Sequence, residues 1–357
     1  MRYTYLAGPL AVVAIAAGSC GARAAELRPL PAKARQAAGA IVAKGVPGVT
    51  VVVGRQGRGI AQESFGKIDA AAQLPIASAS KWLTAAVVMQ LVGEGKLSLD
   101  KPISTWLPSL APDAGAITLR QLLSQTSGLG MAGAEMKQDY RITLAQSAKE
   151  VTDAPLAHRP GTVFVYGGPG FQVAGAVVEA VTGKRWQDVF QERIGGPLAM
   201  RRTFWTHIGS TEPAEVAQTR NPVLQGGAFS TTEDYMHFLA MLAGDGIYEG
   251  RRVLTHAAVE TMLTDQTAAA TMTPAGVPML ANAHYALGNW CETWGGDGRC
   301  TRSSSLGAWG VFPWIDRPSG LYGMVFLYEK NDAFRLLPET SMIVREVIAA
   351  DSPPPRK

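Results

Sequence analysis

The spacing of hydrophobic and polar positions changes along the chain, and each change predicts an element. Pro31 to Lys44 reads as a helix. The apolar run Val49-Thr-Val-Val-Val53 and the alternating stretch Gly59 to Phe65 read as two strands, joined by a glycine-rich turn at Gly54 to Gly57. Lys81 to Glu94 carries one apolar stripe at Leu83, Val87 and Leu91 and a second at Trp82, Ala86 and Met89, closed by Gly93 and Gly95. A helix apolar over so much of its circumference is expected to be buried. Leu119 to Gly128 reads as an amphipathic helix, and Thr231-Thr-Glu-Asp234 as a loose capping box opening a helix over Tyr235 to Leu242. Trp309 to Ile315 and Leu321 to Tyr328 form a second strand pair around Asp316 to Gly320, before a last helix over Glu339 to Ala349 and a proline-rich tail. Strands at both ends with helical sequence between them predict an α+β fold: one antiparallel sheet built from both termini and flanked by helices. The expected division is residues 26–95 and 281–357 in the sheet domain and 96–280 in an inserted, mainly helical domain.

Composition refines the picture modestly. The 357 residues are 47% hydrophobic and 17% charged, enough for a sizeable core. Met1-Arg2 precedes an apolar run from Leu6 to Ala17, too short to cross a membrane as a helix. Residues 1–25 therefore read as a signal peptide, with cleavage favoured at Ala22-Arg23-Ala24. Ala17-Gly18-Ser19-Cys20 offers a lipidation box as the alternative, so a lipid anchor at Cys20 stays open. The expected location is periplasmic or secreted. The formal charge is +4, nearer +2 without Arg2 and Arg23, and no basic cluster with interleaved aromatics suggests a nucleic-acid partner. In an exported chain, Cys291 and Cys300 are candidates for a disulfide around Trp294 to Gly298, with two free thiols as the alternative. His158, His207, His237, His256 and His284 lack any close metal spacing, and no metal or cofactor is expected. No G-x-S-x-G elbow or phosphate loop occurs.

The candidate chemistry begins at Ser78-Ala-Ser-Lys81. Two other Ser-x-x-Lys tetrapeptides exist, Ser64 to Lys67 and Ser98 to Lys101, but the first enters a turn and the second is followed by Pro102. Only Ser78 opens a long apolar helix. Residues three apart share a helix face, so Lys81 reaches the Ser78 hydroxyl. The positive end of the helix dipole and burial both disfavour an ammonium there. A neutral lysine takes a proton from serine and makes it a usable nucleophile. The bland alternative is a capping serine beside a lysine that snorkels to solvent. Further along, Tyr166 stands directly before Gly167 and Gly168, which permit close approach of a ligand or of another backbone.

Five segments in order then resemble the serine hydrolase superfamily of class C β-lactamases, D-alanyl-D-alanine carboxypeptidases and β-lactamase-like carboxylesterases. They are Ser78-Ala-Ser-Lys81, Leu122-Leu-Ser-Gln-Thr-Ser-Gly128, Tyr166-Gly-Gly168, Gly226-Gly-Ala-Phe-Ser-Thr231 and Ser305-Leu-Gly307. The resemblance implies a β-lactamase/transpeptidase-like fold with the site between its two domains. It implies Ser78 as nucleophile, Lys81 and Tyr166 as proton carriers, and the backbone N–H groups of Ser78 and Ala308 as oxyanion hole, Ala308 lying on the strand that begins after Gly307. Gly168, Ser305, Gly307 and Trp309 are the implied substrate-binding positions. Trp290, Trp294 and Trp309 either wall an acyl pocket or pack the core.

Two positions depart from the family pattern. Gly168 stands where the family has Asn, and Ser305 where it has the Lys or His that helps hold a substrate carboxylate, with Arg302 close enough in sequence to compensate. Three readings follow. The first is a carboxylesterase on small or medium acyl esters, the second a β-lactamase or D-Ala-D-Ala carboxypeptidase. The third is a non-catalytic binder of cell-wall peptide or of a partner protein.

Overall fold

In the computed structural model, which describes residues 27–130, 141–206, 213–274, 277 and 280–351, strands from the two chain ends join one seven-stranded antiparallel sheet. The N-terminal apolar segment with Cys20, His207 and the proline-rich tail lie outside the described residues. The N-terminal part supplies β1 (Gly48–Arg55) and β2 (Arg58–Gly66). The C-terminal part supplies β3 (His284–Tyr285), β4 (Trp290–Trp294), β5 (Cys300–Ser304), β6 (Phe312–Asp316) and β7 (Leu321–Leu327). The order is β3-β4-β5-β6-β7-β1-β2, so the last strand lies beside the first, with Val51 opposite Val325.

The central strands β1, β6 and β7 are buried on both faces, which explains why β1 and β7 read as continuous apolar runs. On β7 the period of two sorts the side chains. Leu321, Val325 and Leu327 face a cluster with Ala34, Ala38, Ile41, Val344 and Val347, from α1 (Ala32–Ala43) and the terminal helix. Tyr322, Met324 and Phe326 face Trp82, Leu83, Tyr235 and Phe238, from α2 (Ser80–Gly93) and the helix Thr232–Ala243. Further helices, numbered in chain order, include α3 (Leu119–Leu123), α4 (Pro169–Thr182), α5 (Thr232–Ala243) and α6 (Leu337–Asp351). Both stripes expected on α2 are buried: Trp82, Leu83, Ala86, Val87, Met89 and Leu91 are each at most 1% exposed. At about 1.5–3 kcal/mol for each large apolar side chain, this helix anchors the region it enters.

Several expectations need correction. The helix expected over Leu119 to Gly128 stops at Leu123. Gln125 turns left-handed at φ 63°, and Ser124 Oγ meets Thr126 Oγ1 at 2.9 Å. Short hydroxyl side chains that bond locally offer the backbone an alternative to the helix. The strand expected from Trp309 begins only at Phe312, because Gly310, at φ 103°, turns the chain tightly against Leu327. Trp309 and Ala308 therefore sit in a turn, not on a strand. Strands β3, β4 and β5 have no counterpart among the expected elements. They are short, and β4 and β5 carry Glu292, Thr293, Thr301, Arg302 and serines, with the register broken near Thr293. Cys291 and Cys300 are joined by a disulfide across this hairpin.

Candidate active site

The site forms where α2 begins. Ser78 is not within α2 but in a 3-10 turn, Ala77–Ala79, that feeds it. Ala77 holds φ 44°, a left-handed conformation that costs a residue with a Cβ on the order of 1–3 kcal/mol and persists only where surroundings enforce it. Three contacts do so. Ser80 Oγ donates to the Ala77 carbonyl at 2.6 Å and accepts from the Ala228 N–H at 3.1 Å, while Tyr235 donates its phenol to the Ala79 carbonyl at 2.8 Å. Ser78 is thereby presented half-buried at a fixed angle.

Lys81 lies one turn on and is 2% exposed. Its ammonium nitrogen is 3.0 Å from Ser78 Oγ and 3.0 Å from the Gln225 carbonyl, and 4.8 Å from the centre of the Tyr166 ring. Burial lowers its pKa to about 7 by desolvating the ammonium form. Burial acts oppositely on the Tyr166 phenol, pushing it up to about 12 despite hydrogen-bonding reach to Ser78 and to Trp290. The Tyr166 ring stacks on Trp290 at 5.0 Å and meets Tyr285 edge-on at 5.9 Å. The loop carrying it is gripped by Gln125, whose Nε2 donates to the Gly167 carbonyl at 2.9 Å and whose Oε1 accepts from the Gly167 N–H at 3.2 Å. Sequence reasoning assigned Gln125 no task, although it sits inside one of the five segments. Its left-handed backbone is visible only in three dimensions.

From the sheet side, Ser305 follows directly on β5. Its hydroxyl points at the Ser78 carbonyl, 3.2 Å away, with the Gly288 carbonyl at 3.4 Å. Gly307 approaches so closely that a Cβ there would lie 2.4 Å from the Ile76 carbonyl oxygen. Ala308 follows at the surface, and among the described residues no backbone acceptor engages its N–H or that of Ser78. Trp309 meets Tyr328 edge-on at 6.1 Å and Trp294 stacks on His284 at 4.1 Å, and among the described residues neither ring pairs with Tyr166. Arg302 is tied elsewhere: its Nε is 3.5 Å from Asp316, its partner in register on β6, and its charge also bears on the buried Glu292 carboxyl. Strand alternation sets it on the face opposite Ser303.

One group of possible metal ligands comes together among the described residues, Asp245, His256 and Glu260, which the sequence spacing did not suggest. Glu260 is already paired with Arg299 at 3.0 Å and with Arg317, a poor setting for a cation.

A serine hydroxyl, a lysine amine lowered towards neutrality and a half-buried tyrosine, brought together beside an antiparallel sheet flanked by helices, are the parts of a β-lactamase-fold serine hydrolase. The chain belongs to that family: the Beta-lactamase family model matches residues 32–337. A candidate β-lactamase from Bacteroides dorei DSM 17855 is similar in structure, with TM-score 0.78 and 31% identity over 87% of this chain and 96% of that one. Penicillin-binding protein 4 of Amycolatopsis lactamdurans is 31% identical over 215 residues, 52% of this chain and 55% of that protein. Esterase EstB of Burkholderia gladioli is 30% identical over 180 residues, 43% of this chain and 46% of that protein. The chain spans about half the length of the curated relatives it matches.

Proposed function

We propose that the protein is a carboxylesterase that works through an acyl-enzyme on Ser78. The observation that carries this reading is Lys81, 3.0 Å from Ser78 Oγ and buried so that its pKa falls to about 7. In its neutral form Lys81 takes the Ser78 proton as Oγ bonds to the ester carbonyl carbon. Tyr166, whose pKa near 12 keeps it protonated, passes a proton to the departing alkoxide as the C–O bond breaks, and is refilled from Lys81. Water then repeats the sequence on the acyl-enzyme, releasing the acid. The N–H groups of Ser78 and Ala308 are the donors offered to the oxyanion, each worth about 2.7–4 kcal/mol in comparable sites.

Preference for uncharged esters rests on one position without a cation, Ser305, and on one cation, Arg302, that is drawn to another partner. Ser305 turns its hydroxyl to the Ser78 carbonyl, and Arg302 is held by Asp316. A charge-assisted contact to a substrate carboxylate is worth about 1.5–3 kcal/mol, or about 10- to 150-fold in kcat/KM. The similarity to an esterase supports the same reading, while that to a penicillin-binding protein favours a β-lactam or D-Ala-D-Ala peptide as the alternative. A location beyond the cytoplasmic membrane is the compartment that both the apolar N-terminal run and the Cys291–Cys300 bridge favour. The deciding experiment compares a short p-nitrophenyl ester with nitrocefin. The ester should be turned over with the higher kcat/KM, and Ser78→Ala should abolish both turnover and fluorophosphonate labelling. Faster nitrocefin hydrolysis would move the protein to the lactamase reading, and labelling that survives in Ser78→Ala would remove Ser78 from its role.

A further inference from the structure

A second cleft lies between the sheet and α5. That helix packs across β6, β7 and β1, while β2, at the sheet edge, leaves Gln62 exposed on the face it shares with Val52. Glycines keep the hairpin end of β1 and β2 open: a Cβ on Gly57 would meet nothing within 4 Å, and one on Gly59 only Leu27, at 3.8 Å. Gly54 lacks the Cβ that would strike the ring of Tyr322, its partner in register on β7, at 2.4 Å. The Tyr322 ring therefore lies across β1, and its phenol oxygen accepts from the Gly57 N–H. The result is a cleft of about 520 Å³, the size of small-molecule sites.

One face of α5 forms the opposite wall, where Glu233, Met236, His237 and Ala240 recur at helical spacing. Beyond the end of α5, Tyr248 joins this wall, its ring 5.2 Å from that of His237. Two carboxylates converge on it: burial first, then Glu249 and Glu233, push the Tyr248 phenol up to about 12. Burial and the neighbouring Tyr248 push the Tyr322 phenol up to about 12 as well, so the two rings share the cleft. Among the described residues neither Glu233 nor Glu249 has an ion-pair partner. The cation that also lines the cleft, Arg202, donates to the Ala71 carbonyl at 2.7 Å. With Nδ1 donating to the Leu198 carbonyl at 2.9 Å, the neutral His237 ring keeps Nε2 as an acceptor.

We propose that this cleft is a second binding site, for an organic cation: an amine whose ammonium sits between Glu233 and Glu249 against the Tyr248 ring. Acidic side chains alone would mark only a solvated surface. Here they stand beside two tyrosine rings, whose faces attract a cation and repel an anion. Val52, Met236 and Ala240 offer apolar surface to the hydrocarbon body of the ligand. None of the lining residues belongs to the Ser78 site, so the cleft fills independently of the chemistry there.

Isothermal titration calorimetry of the whole protein with 2-phenylethylammonium tests this, with 2-phenylethanol and phenylacetate as the neutral and anionic counterparts. The amine should bind about 10-fold more tightly than the alcohol, and phenylacetate more weakly than either. Glu233→Gln combined with Glu249→Gln should weaken the amine about 10-fold and leave the alcohol unchanged, and Tyr248→Leu should weaken the amine about threefold. Both glutamates are exposed, so the double variant should melt at the wild-type temperature. Equal affinity for amine and alcohol overturns the proposal, as does an amine affinity that the double variant keeps. So does a wild type that binds no amine up to about 10 mM.

Discussion

Lys81 and Tyr166 share one desolvated pocket, and burial drives their pKa values apart, to about 7 and about 12. The pair is thereby sorted into a base available at neutral pH and an acid that keeps its proton. In the proposed mechanism the neutral amine is the reactive form, so kcat/KM for an ester should climb as pH rises through about 7 and level off above it. A rate profile from pH 5 to 9 checks this. A profile flat across pH 7, or one rising only near 10, would remove Lys81 from the role of base. Gln125 belongs to the same scale, since its two contacts with Gly167 set where the Tyr166 loop sits.

Among the elements, the segment leaving β5 brings the sheet against the turn that carries Ser78. Nothing but hydrogen fits on the Gly307 α-carbon beside Ile76, because a methyl group there would lie 2.4 Å from the Ile76 carbonyl oxygen. Gly307→Ala should therefore push Ala308 away from Ser78 without disturbing the buried strands β6 and β7. A displacement near 1 Å costs about 100-fold in rate, so kcat on a p-nitrophenyl ester should fall by about that factor while the melting temperature changes little. Loss of the fold instead would show that this contact holds the sheet and not merely the site. The β4–β5 hairpin closed by Cys291 and Cys300 carries Trp290, the platform under Tyr166, so a segment remote from Ser78 in sequence supports the proposed proton donor.

At the scale of the whole molecule, keeping a neutral lysine inside the fold shapes stability. Unfolded, Lys81 titrates near 10.4; folded, near 7. Between these values the unfolded chain binds a proton that the folded one does not, so stability should rise with pH from about 7 towards 10. Below 7 both states are protonated at this residue and its contribution is constant. Lys81→Met should flatten that rise, which urea melts at pH 7 and 9 measure; an equal rise in wild type and variant would refute the assignment. The site also depends on both chain ends, because β7 pairs with β1 in the sheet that carries Ser305 to Ser78.

The sequence by itself determined what short-range pattern encodes. The apolar runs of β1 and β7, the largely apolar α2 and the terminal helix were legible because burial imposes a period within a few residues. The antiparallel sheet built from both ends followed from their order, and the Ser78–Lys81 contact from helical spacing. Only the tertiary structure decided what depends on distant partners. Polar strands β4 and β5 form because neighbouring strands and a disulfide accept them, not through their own pattern. The turn at Ala308 follows from the fit of Gly310 against Leu327. Arg302 is drawn to Asp316 by a register no local rule specifies. Gln225 reaches the open side of Gly168 across 57 residues of sequence. A glycine in one segment and a carboxamide in another carry no mark of each other in the chain; packing makes them neighbours.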